Sequence, residues 1–207
     1  MVTMEATVFV VDDDDSVREG IQELMESVGL HTRPFSSAQE FLNEDVSAER
    51  GCLLLDVRMP GMSGLKLQEE LNQRDSILPI VFLTGHGDIP MAVEALRRGA
   101  VDFLEKPSGG QHLLDSVYEA IELYDHRQEV DTRNRILEGK LASLTPREKE
   151  VFGYLMLGES IKEIAWTIGL SRKTVDWHVS MIREKMGVDS TGQLLLLFHR
   201  SGELQSA

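Results

Sequence analysis

The sequence predicts a two-part protein. An α/β half, with a five-stranded parallel sheet covered by helices on both faces, is joined by a long helix to an all-α half of four helices. Three observations lead there. Within residues 1–125, short apolar runs alternate with amphipathic helical stretches, the pattern of repeated βα units. Residues 125–135 are almost wholly polar and hold neither Pro nor Gly, which suits an exposed helix better than a loose linker. Beyond Leu144, apolar residues recur at helical spacing between strong capping signals.

Composition bounds the reading. The 207 residues are 42% hydrophobic and 27% charged, which excludes a disordered chain and supplies material for two cores. Residues 1–7 lack a basic-then-apolar leader, and no run approaches the roughly 18 apolar residues of a membrane span. The expectation is a cytoplasmic protein with no membrane partner. The lone Cys52, beside Gly51 at a strand start, excludes an internal disulfide and reads as a small core filler. The net charge of −14 argues against indiscriminate coating of nucleic acid, but it is unevenly spread. Residues 1–125 carry 24 acidic and 9 basic side chains, the remainder 11 and 12, so the halves are expected to have different partners.

In the first half the strand ends are informative. Leu53-Leu54-Leu55 reads as a strand buried on both faces, stopped by Pro60, Gly61 and Gly64. Asp56 then stands at the carboxyl end of a central parallel strand, where open α/β sheets place their chemistry. Val8-Phe9-Val10-Val11 is a second such strand and runs into Asp12, Asp13, Asp14 and Asp15. A helix start explains Asp14 and Asp15, because Val17, Ile21, Leu24, Met25 and Val28 form a helical stripe after them. Asp12 and Asp13 sit on the strand end itself, beside Asp56. Carboxylates 4 Å apart repel by about 1 kcal/mol in water and about 4 kcal/mol at an effective dielectric of 20. A cation offsets this, and an oxygen-only cluster with no His or Cys nearby suits Mg²⁺.

The remaining elements are a strand at 32–35, a helix near 37–43, a helix at about 63–72, a strand at 80–83, a helix at about 89–98, a strand at 101–104 and a helix from 111 onward. The 80–83 strand ends in Thr84-Gly85-His86-Gly87, and Phe103-Leu104-Glu105 ends in Lys106-Pro107. Taken singly, Thr84 reads as a turn hydroxyl, Lys106 as a surface charge and Pro107 as a chain breaker. Together with the carboxylates they supply the parts of phosphoryl transfer: a nucleophilic oxygen, metal-binding carboxylates, a hydroxyl and an ammonium.

Val10-Val11-Asp12-Asp13, Leu55-Asp56-Val57-Arg58-Met59-Pro60, Leu83-Thr84-Gly85 and Phe103-Leu104-Glu105-Lys106-Pro107 resemble the receiver domain of two-component response regulators over residues 5–125. The resemblance implies a flavodoxin-like sheet of order 2-1-3-4-5, with Asp56 accepting phosphate from a sensor histidine kinase. It further implies that Asp12, Asp13, Asp56 and the backbone carbonyl of Arg58 hold Mg²⁺ and that Lys106 pairs with the phosphoryl group. Thr84 and Phe103 would be the switch pair, and the Lys106–Pro107 bond would be cis.

The connector and second half follow. Val130, Leu137, Leu141 and Leu144 are spaced 7, 4 and 3 residues apart, compatible with a short coiled-coil seam or with packing against the second domain. Thr145, Pro146 and Glu148 mark a helix start ahead of Val151, Phe152, Leu155 and Met156. A second helix runs from Ser160 to Ile168, a third from Arg172 to Met186 after Ser171, and a fourth over 191–200. The second and third, joined by a tight turn at Gly169, form a helix-turn-helix. Lys162, Arg172, Lys173, Arg183 and Lys185 concentrate around this pair in an otherwise acidic chain. Lys162, Ser171, Arg172, Lys173, Thr174, Trp177 and Arg183 are therefore the candidate DNA-binding residues, with those at the start of the third helix entering a major groove.

Residues 144–198 resemble the LuxR-type DNA-binding domain through Thr145-x-Arg147-Glu148-x-Glu150-Val151, Gly158, Lys162-Glu163-Ile164-Ala165, Ser171-x-x-Thr174-Val175-x-x-His178 and Lys185-Met186-Gly187-Val188. Asp176 falls where many relatives carry a basic residue; it either accepts from cytosine N4 or disfavours wrong sites. Trp177 either packs on a neighbouring helix or meets thymine methyls, and His178 reads as structural. The expected divisions are a receiver domain at 1–125, a helical linker at 126–142 and the helix-turn-helix domain at 143–207.

The reading is of a response regulator of the NarL/FixJ-like family, not an enzyme. Phosphorylated on Asp56, it would dimerise and bind promoter DNA, with RNA polymerase as a further partner. The whole chain resembles regulators of aromatic-hydrocarbon (styrene or toluene) catabolism in pseudomonads. Two alternatives belong to other classes. One is a phosphorylation-gated protein-interaction module without direct DNA binding. The other is a magnesium-dependent phosphatase of the haloacid-dehalogenase type, which the Arg58 position opposes, since that fold carries a second Asp there.

Overall fold

The computed structural model describes residues 6–47, 49–85, 89–106 and 109–203, with side chains to residue 198. It divides into two compact units, Met1–Glu129 and Val130–Ala207.

In the first unit, five strands form one parallel sheet in the order β2-β1-β3-β4-β5. They are β1 (Thr7–Val11), β2 (His31–Phe35), β3 (Gly51–Leu55), β4 (Ile80–Thr84) and β5 (Asp102–Glu105). The helices between them are α1 (Asp15–Ser27), α2 (Ala38–Leu42), α3 (Gly64–Gln73) and α4 (Ile89–Arg97), and α5 (Gly110–Ala142) follows the last strand. Every residue of β1, β3 and β4 is buried, as expected of central strands covered on both faces. Their side chains alternate between two cores. Phe9, Leu53, Leu55 and Phe82 pack with α2, α3 and Ala95 of α4, while Val8, Val10, Leu54 and Val81 pack with α1 and the start of α5.

β2 is an edge strand, which accommodates Pro34 and the exposed His31. Where β1 and β3 start, the chains are very close: a Cβ on Gly51 would lie 1.8 Å from the Thr7 carbonyl oxygen. Only glycine fits there. β5 is set one residue later than its apolar pattern suggests; just before it, the Val101 N–H donates to the Ile80 carbonyl of β4 at 2.8 Å.

α5 is one unbroken helix of 33 residues, about 50 Å at 1.5 Å per residue. Arg50 grips Asp125 through two bonds of 2.7 and 2.6 Å, and Arg127 donates to the Ile77 carbonyl at 3.3 Å. These contacts hold residues 125–127 against the first unit.

The second unit holds the end of α5, then α6 (Pro146–Met156), α7 (Ile161–Thr167), α8 (Arg172–Met186) and α9 (Thr191–Glu203). Thr145 and Ser160 close reciprocal capping boxes with Glu148 and Glu163, and Ser171 caps α8. Gly187, at φ 71°, ends α8 in the left-handed conformation. Val151, Leu155, Ile164, Val175, Val179, Ile182, Met186 and Leu194 form the core, joined by Leu144 and partly by Leu141. Leu137 is buried as well. Leu141 and Leu144 thus pack within the second unit. Among the described residues no helix is long and apolar enough to cross a membrane.

Candidate functional site

Val11 of β1 lies opposite Leu55 of β3, so both chains leave the sheet at one level. Asp12 and Asp56 are therefore neighbours by register, and the Asp56 N–H donates to the Val11 carbonyl at 2.9 Å. At the ends of β4 and β5, Thr84 lies opposite Glu105, and the Lys106 N–H donates to the Thr84 carbonyl at 2.8 Å. From that anchor the Lys106 ammonium reaches both carboxylates: it bonds Asp12 and lies 3.3 Å from Asp56 Oδ1.

The remaining lone pairs are used locally. Asp12 Oδ1 accepts from the Asp14 N–H at 3.0 Å, and Asp56 Oδ2 from the Arg58 N–H at 2.8 Å. Arg18 donates to the Asp12 carbonyl. Asp12 is 3% exposed, Asp56 6% and Thr84 1%, whereas Asp13 and Arg58 face solvent. Burial pushes the Asp12 carboxyl above its ordinary value; the bond from Lys106 pulls it back, and the charge of Asp56 adds to the rise.

Two buried carboxylates, the exposed Asp13 and main-chain carbonyls make an oxygen-only donor set, which fits Mg²⁺. Among the described residues no three acidic, His or Cys side chains group closely enough to hold a metal unaided. A cation here would complete its shell with water and substrate oxygens.

Phe103 is half-buried on β5, its ring 5.8 Å from that of Phe82 and tilted by 38°. It stands on the strand next to that of Thr84, opposite Phe82 and two residues before Glu105, the register partner of Thr84. Pro107, with the cis bond expected before it, lies outside the described residues, as do His86 and Gly87. Sequence reasoning treated Gly64 as a strand stop and missed its larger role. A Cβ there would lie 2.1 Å from the Asp56 carbonyl oxygen, so the first residue of α3 passes directly against the Asp56 backbone.

In the second unit α8 has two faces. Val175, Val179, Ile182 and Met186 are buried, and Arg172, Lys173, Asp176, Trp177 and Ser180 are exposed. Trp177 is 56% exposed, its ring edge-to-face with His178 at 4.9 Å. It lies outside the core cluster of this unit. Ser171 and Thr174 share a 2.8 Å hydroxyl contact at the helix start, and Lys162 is exposed on α7.

Two basic residues stand apart from that face. Lys185, counted with the basic cluster, is committed instead to the buried Glu148 at 2.6 Å and to the Ser143 carbonyl at 3.2 Å. Arg183 is half-buried three turns along α8 and donates to the Asp189 carbonyl at 3.4 Å, so it is not brought to the helix start. Trp166 on α7 is 87% exposed. It was missed, although its place outside the stripe of Ile161, Ile164, Ala165 and Ile168 could have shown it.

Residues 8–118 match the response regulator receiver domain, and residues 142–198 match the luxR family of bacterial regulatory proteins. The chain is 45% identical to the transcriptional regulatory protein TdiR of Thauera aromatica, over 92% of this chain and 84% of that one. It is 39% identical to the response regulator protein TodT of Pseudomonas putida, over 94% and 86%. Among solved structures, the response regulator StyR is 42% identical and superimposes with a TM-score of 0.79 over 95% of this chain and 99% of that one. Paired strand-end carboxylates under a shared lysine and a capped helix-turn-helix, matched along nearly the whole length, show that the chain belongs to the two-component response regulators with a receiver domain and a LuxR-type DNA-binding domain.

Proposed function

We propose that a sensor histidine kinase phosphorylates Asp56 and that the phosphorylated protein dimerises and binds promoter DNA through α8. The observation that carries this reading is the ammonium of Lys106, shared between Asp12 and Asp56 at adjoining strand ends. A carboxylate oxygen of Asp56 forms a bond to phosphorus while the bond from phosphorus to the kinase imidazole breaks, in line with the attacking oxygen. Lys106 passes from the carboxylates to the new phosphoryl oxygens. Asp12, Asp13, Asp56 and the Arg58 carbonyl would hold Mg²⁺, whose charge, when bound, neutralises the oxygens of the transferring group.

The phosphoryl group adds about −1.5 to −2 charges and strong acceptor oxygens. The Thr84 hydroxyl turns toward it, and the Phe103 ring takes the space this frees. Moving such a switch from 1:99 to 99:1 requires about 5.5 kcal/mol of differential interaction, so self-association has to add to it. The exposed apolar residues Ile89, Val93 and Leu96 on α4 support that step. Two α8 helices then occupy half-sites about one helical turn apart, and RNA polymerase is engaged at the promoter. The proposed target is an aromatic-hydrocarbon (styrene or toluene) catabolic operon, on the resemblance of the whole chain to regulators of that class.

The test is the intact mass of wild type and Asp56→Asn after incubation with acetyl phosphate and Mg²⁺. We expect one phosphoryl adduct on wild type and none on the variant. An equal adduct on both proteins would remove Asp56 from the role; no adduct on wild type, together with no response to beryllofluoride, would remove phosphorylation from the function.

A further inference from the structure

We infer that Asp176 is a specificity-determining residue, selecting a cytosine in the major groove by accepting a hydrogen bond from its N4 amino group. The inference rests on the DNA-binding reading of α8 and adds to it the base that one side chain reads.

The outward arc of α8 carries Lys173, Asp176, Trp177 and Ser180, all exposed, opposite the buried Val175, Val179, Ile182 and Met186. Asp176 is the one carboxylate in the first two turns of that arc. It stands four residues after Arg172 and three after Lys173, the spacing at which helical ion pairs form. Yet among the described residues no ion pair or hydrogen bond engages the side chain of Asp176, Arg172 or Lys173. Nor does the helix dipole explain the carboxylate. Ser171 is the N-cap, so Asp176 lies beyond the first turn, where the benefit to an anion fades.

On a surface that meets phosphates, an uncommitted carboxylate is unfavourable at every sequence unless a base edge supplies a donor. Four base edges face it in the major groove, and they are not equivalent. Guanine and thymine offer only acceptors at their polar positions and repel it. Adenine offers the N6 donor, but its N7 acceptor lies beside that donor and opposes a carboxylate. Cytosine alone offers a donor, N4, with no neighbouring acceptor.

The experiment is selection of duplexes from a randomised pool by the full chain, with and without acetyl phosphate and Mg²⁺, followed by titration of the selected duplex and its single-base variants. Wild type, Asp176→Ala and Asp176→Asn are compared. For wild type we expect one position of each half-site to be cytosine, with replacement by any other base weakening binding about 10- to 100-fold. Asp176→Ala should make that position degenerate and leave the others unchanged. Asp176→Asn should move the preference to adenine, which an amide reads through N6 and N7 together. If Asp176→Ala instead tightens binding to every duplex by one common factor and selects the same sequence, the carboxylate is a repulsive charge only and the inference falls. If wild type binds no duplex in either state, the DNA-binding reading falls, and this inference with it.

Discussion

In the first unit Asp12 bonds Lys106, and in the second Glu148 bonds Lys185; each carboxylate is 3% exposed. Their surroundings differ. Asp12 shares its lysine with Asp56 and sits at the end of a central strand, and burial pushes its carboxyl up more than Lys106 can bring it down. Glu148 has Lys185 to itself at 2.6 Å and accepts the Thr145 N–H at 2.8 Å. The bond from Lys185 holds its carboxyl below the usual range, against a smaller opposing effect of burial. One cation for two carboxylates leaves negative charge short of a partner, which is what a site awaiting a cation and a phosphoryl group needs. One cation for one carboxylate, with a backbone donor added, is complete and holds α6 to α8. Burial and ion pairing alone do not distinguish a functional pair from a structural one; competition for the cation does.

The largest expected effect comes from taking each lysine away. Lys185→Met leaves Glu148 buried and charged, and should destabilise the second unit by about 3 kcal/mol, the low end for a broken buried pair because Lys185 is one-third exposed. Lys106→Met should cost less stability, because burial already raises the Asp12 carboxyl against the pull of Lys106, but should abolish the Asp56 adduct. Calorimetry of the full chain in EDTA measures both losses. Equal losses in the two variants would break the comparison.

The pH dependence sharpens it, because the two shifts have opposite signs. Asp12 is raised when folded, so its contribution is greatest below the unfolded value near 3.8 and is lost as pH climbs through the folded value. Glu148 is lowered when folded, so its contribution is present above about 4.5 and is lost as pH falls through the folded value. Without metal, Asp12→Asn should therefore gain stability over wild type as pH rises from 4 to 7. Glu148→Gln should be less stable than wild type at pH 7, by about 1–3 kcal/mol for the lost charged hydrogen bonds, with the gap closing below pH 4.5. Unfolding midpoints across that range test both. Parallel curves would mean that the two carboxylates sit in equivalent environments.

What the sequence revealed and what it hid follow the same line. The places of Asp12 and Asp56 were legible because doubly buried strands announce themselves as apolar runs, and the residue after each run stands at the strand's carboxyl end; Thr84 closes the buried β4, and Lys106 follows the half-buried β5. The helix starts at Thr145, Ser160 and Ser171 were legible because a cap is a local bond, written within four residues. Glu148–Lys185 and Arg50–Asp125 were not, since their partners lie 37 and 75 residues apart and only the packed fold brings them together. Lys185 was read with the basic face for that reason. The leucines of α5 were ambiguous because a heptad-like spacing is the same for a seam between chains and for contact with α6. Gly64 was legible as a breaker only, because the closeness of the Asp56 carbonyl is a property of the folded loop.

The smallest effect is the most discriminating for Glu148. Thr145→Ala removes the N-cap of α6 and should cost about 1 kcal/mol. In this capping box Glu148 also reaches back to the Thr145 N–H while it holds Lys185. If the lysine is what fixes the carboxylate in position to cap, the cost of Thr145→Ala should shrink in a Lys185→Met background, because the reciprocal bond is already loosened. A coupling of about 0.5 kcal/mol or more in that double-mutant cycle is the expected result. Additive losses would mean that cap and ion pair are independent, and that Glu148 keeps its capping position without help from Lys185. In that case the structural pair would be completed by two independent bonds, and the contrast with Asp12 would rest on the sharing of Lys106 with Asp56.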